Sequence, residues 1–104
     1  MARYALLVFT NPKEGRDDEY NRWYDEVHLA EVLEVEGFVA ARRYNAEPVE
    51  GTTFDHRYAA IYEMESDLPP DALYQRLLAA GDKMKLSDAL DLSSARIQFF
   101  TLRQ

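Results

Sequence analysis

Apolar residues fall in blocks whose spacing changes along the chain, and each change of spacing marks a new element. Arg3 to Thr10 (Arg-Tyr-Ala-Leu-Leu-Val-Phe-Thr) is almost wholly apolar and rich in β-branched and aromatic residues. That composition predicts a strand buried on both faces and central in its sheet. Asn11-Pro12-Lys13-Glu14-Gly15 supplies turn chemistry and ends it, because Pro12 cannot donate to a strand ladder and Gly15 is free to take positive φ. The spacing then becomes helical. Asp17, Asp18 and Glu19 stand where acidic groups favour the positive end of a helix, with Asp17 as the expected N-cap. Tyr20, Trp23, Tyr24 and Val27 follow on one apolar face, and His28 lies at its edge. This helix is expected to run to about Leu29, with a further turn through Leu33, before Gly37 breaks it.

Strand spacing resumes at Phe38 to Tyr44, with Phe38, Ala40, Arg42 and Tyr44 expected on one face and Val39, Ala41 and Arg43 on the other. Asn45 to Asp55, which contains Pro48 and Gly51, reads as a hydrophilic loop. Arg57 to Met64 is the third strand, with Tyr58, Ala60, Tyr62 and Met64 on one face. Pro69 and Pro70 are placed where a helix tolerates proline, and Leu73, Leu77 and Ala80 repeat at helical spacing up to Gly81. Asp82 to Ser94 reads as a connection whose Met84, Leu86, Leu90 and Leu92 can wall a cavity, and Ala95 to Leu102 is the closing strand. The order β-α-β-β-α-β predicts a ferredoxin-like α+β fold: a four-stranded antiparallel sheet with two helices on one face. The opposite face is left apolar, and burying it against a second copy of the chain is the simplest solution, so a homodimer is expected.

Composition narrows the function classes. A chain of 104 residues, 47% of them hydrophobic, fits a single compact domain over 1–104. Twelve basic against 19 acidic residues give a net charge of −7, spread along the chain, which disfavours nucleic acid and anionic membranes as partners. No apolar run approaches the ~20 residues that span a bilayer, and Met-Ala-Arg-Tyr does not begin a secretory signal, so a cytoplasmic location is expected. With no cysteine there is no disulfide and no thiolate ligand or nucleophile. The four glycines are isolated, so no phosphate-cradling loop is present and no nucleotide cofactor is expected.

What chemistry remains gathers in Tyr20 to His28 (Tyr-Asn-Arg-Trp-Tyr-Asp-Glu-Val-His), which holds the sole Trp, two of the seven Tyr and one of the two His. Asp25 precedes His28 by three positions, a spacing at which its carboxylate can accept a hydrogen bond from the imidazole and fix the tautomer. The functional reading makes His28 a proton-transfer group with Asp25 its support and Tyr20, Trp23, Tyr24 and Val27 a pocket wall reaching toward Tyr62 and Met84. Arg43, if inward, could hold a carboxylate or enolate oxygen, and Tyr58 or Tyr62 could donate to the same oxygen. The structural reading makes the aromatics core, Asp25 solvated, His28 a helix-ending residue and Arg43 a solvent-seeking one. Asp25-x-x-His28-x-x-Glu31 also has a spacing found among metal ligands, but no second His lies nearby in sequence, and no metal is expected.

Trp23-Tyr24-Asp25-Glu26-Val27-His28, followed by Glu36-Gly37-Phe38, resembles the helix motif Trp-Tyr-Asp-x-x-His-x-x-x-(x)-Pro-Gly-Phe of the EthD-like group within the dimeric α/β-barrel proteins. The likeness extends to Phe9-Thr10-Asn11-Pro12 and to Arg57 to Glu63. Two positions depart from it, Ala30 and Glu36 standing where such proteins often carry proline. The resemblance implies a dimeric α/β-barrel and a broad range of chemistry: cofactor-free isomerases, polyketide cyclases and dehydratases, quinone-forming monooxygenases, and proteins with no assigned reaction. The leading expectation is a cofactor-independent enzyme acting by proton transfer on a small apolar, aromatic or polyketide-like carbonyl compound. A non-catalytic binding or structural dimer is the competing class.

Overall fold

The structure, a computed structural model, describes residues 1–103. Strand β1 (Ala2–Pro12) leads into α1 (Asp17–Trp23), a π-helical segment (Tyr24–His28) and α2 (Leu29–Leu33), which together form one rod. Strands β2 (Phe38–Asn45) and β3 (Tyr58–Ser66), helix α3 (Pro70–Gly81) and strand β4 (Leu90–Thr101) follow. The sheet runs β2-β3-β1-β4 with every neighbouring pair antiparallel, so the apolar first strand is central as its composition predicts.

Alternation along the strands sets the core. Leu6 pairs with Tyr62 on one side and Phe99 on the other, and Tyr4 pairs with Met64, which puts these side chains on one face. Tyr20, Tyr24, Val32 and Leu73 of the helices pack onto that face. Gly37 closes the first helix–strand connection at φ 102°, a backbone region that favours glycine, and a Cβ there would also stand a tight 3.3 Å from Leu73 Cδ2. The start of α1 differs from expectation: Asp17 is its first residue, not its cap, and no side chain caps it. The Asp17 carboxylate instead accepts from the Tyr58 hydroxyl at 2.8 Å.

Two bulges correct the reading of the strands. In β2 the register shifts between Phe38 and Ala40, so that Phe38, Ala41 and Arg43 oppose Met64, Tyr62 and Ala60. Phe38 and Arg43 therefore share the helix-covered face, which strict alternation does not give. In β4, Phe9 pairs with Arg96 while Asn11 pairs with Asp91, and the strand begins at Leu90, well before Ala95. The surplus residues are held by the Ser94 hydroxyl, which accepts from the Asn11 amide at 2.8 Å and donates to the Asp91 carbonyl at 2.6 Å. Polar residues that read as a turn thus form a hydrogen-bonded bulge.

Candidate functional site

The π-helical segment carries His28, and each neighbour of that residue constrains it. Its ring stacks on Trp23, centroids 4.6 Å apart at an interplanar angle of 19°, and meets Tyr24 edge-on at 5.2 Å. Nδ1 lies 3.4 Å from Glu31 Oε1. Because a carboxylate only accepts, the proton sits on Nδ1 and leaves Nε2 as the lone-pair nitrogen. Glu31 is fixed in turn, its Oε2 accepting the Lys85 amide at 3.0 Å, while the Lys85 carbonyl accepts the Trp23 indole N–H at 2.7 Å. The backbone of Lys85 therefore anchors both the stacking partner and the hydrogen-bonding partner of His28. Burial lowers the His28 pKa from its ordinary 6.5, outweighing the opposing pull of Glu31, so the imidazole is neutral at neutral pH.

His28 opens onto a cavity of about 430 Å³ between the helices and the sheet, walled by Leu6, Val8, Tyr24, Val32, Tyr62 and Met84 among others. Leu78, Leu86, Leu92 and Ile97 also line it while remaining exposed, which leaves an apolar rim in water. Tyr62 is 2% exposed, and its ring lines the cavity while its hydroxyl is closed off among Tyr24, Arg43 and Tyr20, with the Tyr24 phenol its nearest polar partner. Burial pushes the Tyr24 phenol up to about 12 and Tyr62 further in the same direction, so both stay protonated. A second hollow of about 500 Å³ lies on the helix-free face, walled by Arg3, Val39, Glu63, Glu65 and Phe100 among others. In its wall Arg3 pairs with Glu65, and Glu63 pairs with Arg42 beside it; it holds no histidine.

Of the residues singled out in the sequence, Tyr24, His28, Tyr62 and Met84 meet at the cavity. Tyr20, Trp23, Val27, Arg43 and Tyr58 are not in its wall. Tyr20 is fully buried, its hydroxyl 2.5 Å from Thr10 Oγ1, and fills core instead of bounding space. Trp23 stands behind His28, where it positions the imidazole. Arg43 points inward, but into a closed cage: its guanidinium lies 4.3 Å from the Tyr24 ring centroid and within 5.4 Å of those of Tyr20 and Tyr58. Nη1 donates to Asp25 Oδ1 and Nη2 to Asn21 Oδ1, both at 2.9 Å, while the buried Nε has no partner. Asp25 is therefore the partner of Arg43, and the place expected for it beside His28 belongs to Glu31. Both carboxylates stand three residues from His28; which one it meets depends on Arg43 and Lys85, far away in sequence. Among the described residues no three acidic or histidine side chains gather as metal ligands, and no helix is long and apolar enough to cross a membrane.

By sequence, the chain matches no family model and no curated protein. By structure it is similar to an EthD-family protein from Bacillus halodurans C-125, with a TM-score of 0.63 at 11% identity over 96% of this chain and 97% of that one. It is also similar to a dimeric ferredoxin-like protein of unknown function from Jannaschia sp. CCS1 (TM-score 0.57, 13% identity, 98% and 99% covered). A third similar structure is the heme-degrader MhuD from Mycobacterium tuberculosis, which has two hemes bound in its active site (TM-score 0.60, 19% identity, 95% and 94% covered). At these identities the likeness is one of fold: the chain is ferredoxin-like, of the type to which EthD-family and dimeric α/β-barrel proteins belong.

Proposed function

We propose that the cavity binds a small, largely apolar, aromatic or polyketide-like carbonyl compound and that His28 moves a proton on it without a cofactor. The observation that carries this reading is a neutral, doubly anchored imidazole at the wall of an otherwise apolar cavity. His28 Nε2 takes the proton from a carbon next to the carbonyl, leaving an enolate and an imidazolium whose Nδ1–H faces the Glu31 carboxylate. The same nitrogen returns the proton to another carbon in an isomerisation, or to a departing hydroxyl in a dehydration, and the ring is neutral again. A base that stays unprotonated below its ordinary pKa suits the first step.

A second copy of the chain covers the helix-free face in this reading. Leu7, Phe9 and Ile61 lie there half-buried, and Val39, Tyr44 and Phe100 are exposed, too much apolar surface for an isolated sheet in water. Sedimentation is expected to give one species at twice the 12.1 kDa chain mass; a persistent monomer at micromolar concentration would reject the barrel assembly.

The test of the chemistry is exchange of the carbon-bound protons of β-tetralone for deuterium, followed by proton magnetic resonance in heavy water. The protein is expected to speed exchange over buffer, and His28→Ala to lose about 10²-fold or more of that rate with its circular dichroism unchanged. Normal exchange in a folded His28→Ala protein would reject His28. A ketone that binds without accelerated exchange would favour the competing reading, a binding protein, for which the apolar character of the wall speaks.

A further inference from the structure

Polar atoms without a partner are of two kinds in this molecule, closed off and open. Among the described residues, Arg43 Nε, His56 Nδ1 and the Tyr62 hydroxyl are buried with no hydrogen-bond partner and no accessible surface to meet a ligand. His28 Nε2 also has no partner, yet it is not one of these closed-off atoms. The rest of the ring is engaged: Trp23 covers a face, Tyr24 meets it edge-on, and Nδ1 faces Glu31. The side chain keeps 18% of its surface, and His28 belongs to the cavity wall. Its open edge is therefore a lone pair with nothing to accept. We propose that Nε2 sets the ligand class of the cavity by accepting a hydrogen bond from a ligand hydroxyl, so that the site selects uncharged phenols and enols over ethers, hydroxyl-free ketones and carboxylates. This inference rests on the cavity being the binding site.

The sign of the recognition follows from the tautomer. A neutral imidazole that carries its proton on Nδ1 can only accept at Nε2. Glu31, itself held by the Lys85 amide, keeps the proton there, and burial keeps the second nitrogen from becoming a donor at neutral pH. The one formal charge in the wall, the Asp82 carboxylate, accepts as well. The wall's tyrosine hydroxyls can do either, so they do not fix the sign. Among the described residues no lysine or arginine lines the cavity, and the Arg43 guanidinium is enclosed by tyrosine rings. A carboxylate would thus be buried without a counter-charge, near Asp82 and with Glu31 behind His28, which is among the costliest things a site can do. A carbonyl or ether oxygen brings a second lone pair to the first. A hydroxyl brings the missing hydrogen. An enol held this way also stands at one end of the proton transfer: its O–H proton passes to Nε2 as the C–O bond becomes a carbonyl, and Nε2 gives the proton to the neighbouring carbon, leaving the ring neutral.

Four probes on one ring system separate the possibilities: 2-naphthol, 2-methoxynaphthalene, naphthalene and 2-naphthoate. Equilibrium dialysis of the intact protein at neutral pH is expected to show 2-naphthol binding about fivefold to tenfold more tightly than its methyl ether, the worth of one buried hydrogen bond. The ether is expected to bind like naphthalene, and the carboxylate most weakly. His28→Phe keeps an aromatic ring against Trp23 and removes the acceptor; it is expected to bring 2-naphthol down to the affinity of the ether and to leave the ether unchanged. Tyr74→Phe, in the same wall, is expected to keep the preference. Equal binding of 2-naphthol and the ether by the unaltered protein would overturn the inference while leaving the cavity as the site. So would a preference that survives His28→Phe, one that is lost in Tyr74→Phe, or a carboxylate that binds best. If the unaltered protein binds none of the four, the cavity reading falls and this inference with it.

Discussion

Two clusters on opposite sides of Tyr24 use the same residue types to opposite ends. On one side Arg43 is enclosed by Tyr20, Tyr24 and Tyr58, and its guanidinium donates to Asp25 and Asn21. On the other, His28 leans on Trp23 and Tyr24, and beyond it lies open volume. Both contain a basic side chain, a carboxylate and a wall of aromatic rings. The first is filled, so it acts as a rivet between helix and sheet; the second is hollow, so it has room left for a ligand. Residue type alone does not separate a rivet from a site. Occupied volume does.

The contrast is broken most severely by opening the rivet. Tyr20 is fully buried and bonds Thr10, so Tyr20→Ala is expected to cost about 3–5 kcal/mol, the range for emptying a large aromatic site. Urea unfolding measures it, and a loss under ~1 kcal/mol would mean that the aromatic cluster is not core. The two carboxylates flanking His28 give the next largest difference. Glu31→Gln weakens a hydrogen bond to the imidazolium and is expected to slow deuterium exchange about tenfold, the effect of losing one charge-assisted bond. Asp25→Asn is expected to leave exchange unchanged, because Asp25 faces Arg43; the reverse order of the two variants would restore Asp25 as the support.

Tyr62→Phe is expected to raise stability by about 1 kcal/mol, since it deletes a buried hydroxyl with no well-formed hydrogen bond and keeps the ring. A protein made less stable by this change has a partner for Tyr62 that the geometry does not show. A smaller effect is one of pH. His28 has a lowered pKa in the folded protein, so the unfolded chain takes up its proton first as pH falls. The stability it contributes is complete above its unfolded pKa of about 6.5 and is lost as pH drops from there through the folded value. His28→Gln is expected to flatten that part of the stability profile; an unchanged slope would assign it to other groups. Asp25→Asn, whose carboxylate is 60% exposed, is expected to change stability by less than about 1 kcal/mol.

How much of this was legible depended on whether the determining contacts were local. The extent of the first helix through Leu33, the central place of β1 and the stop at Gly37 follow from spacing and from glycine, properties of short stretches. The early start of β4 does not, because Leu90 to Ser94 carries turn chemistry that only Asn11, across the sheet, converts into a bulge. In the site, helical spacing correctly grouped Tyr20 with Tyr24 on one face. It carried no information on what that face meets, and the two differ there: Tyr20 meets Thr10 and Tyr58, whereas Tyr24 reaches the cavity. The choice of Glu31 over Asp25 was hidden for the same reason.

The π-helical segment has a geometric consequence for aim. Tyr20, Tyr24, His28 and Val32 recur every four residues, and a regular α-helix completes its turn in about 3.6. Over the twelve residues from Tyr20 to Val32 the excess accumulates to about a third of a turn, enough to swing one of these two buried anchors away from the core. The Leu29 N–H, bonding back to the Tyr24 carbonyl, widens one turn and absorbs the excess. A version of this helix one residue shorter between the same anchors would lie flat on the sheet as plain α-helix. The added residue works as a vernier: it leaves both ends of the rod seated and turns the imidazole between them onto the line of sight into the cavity.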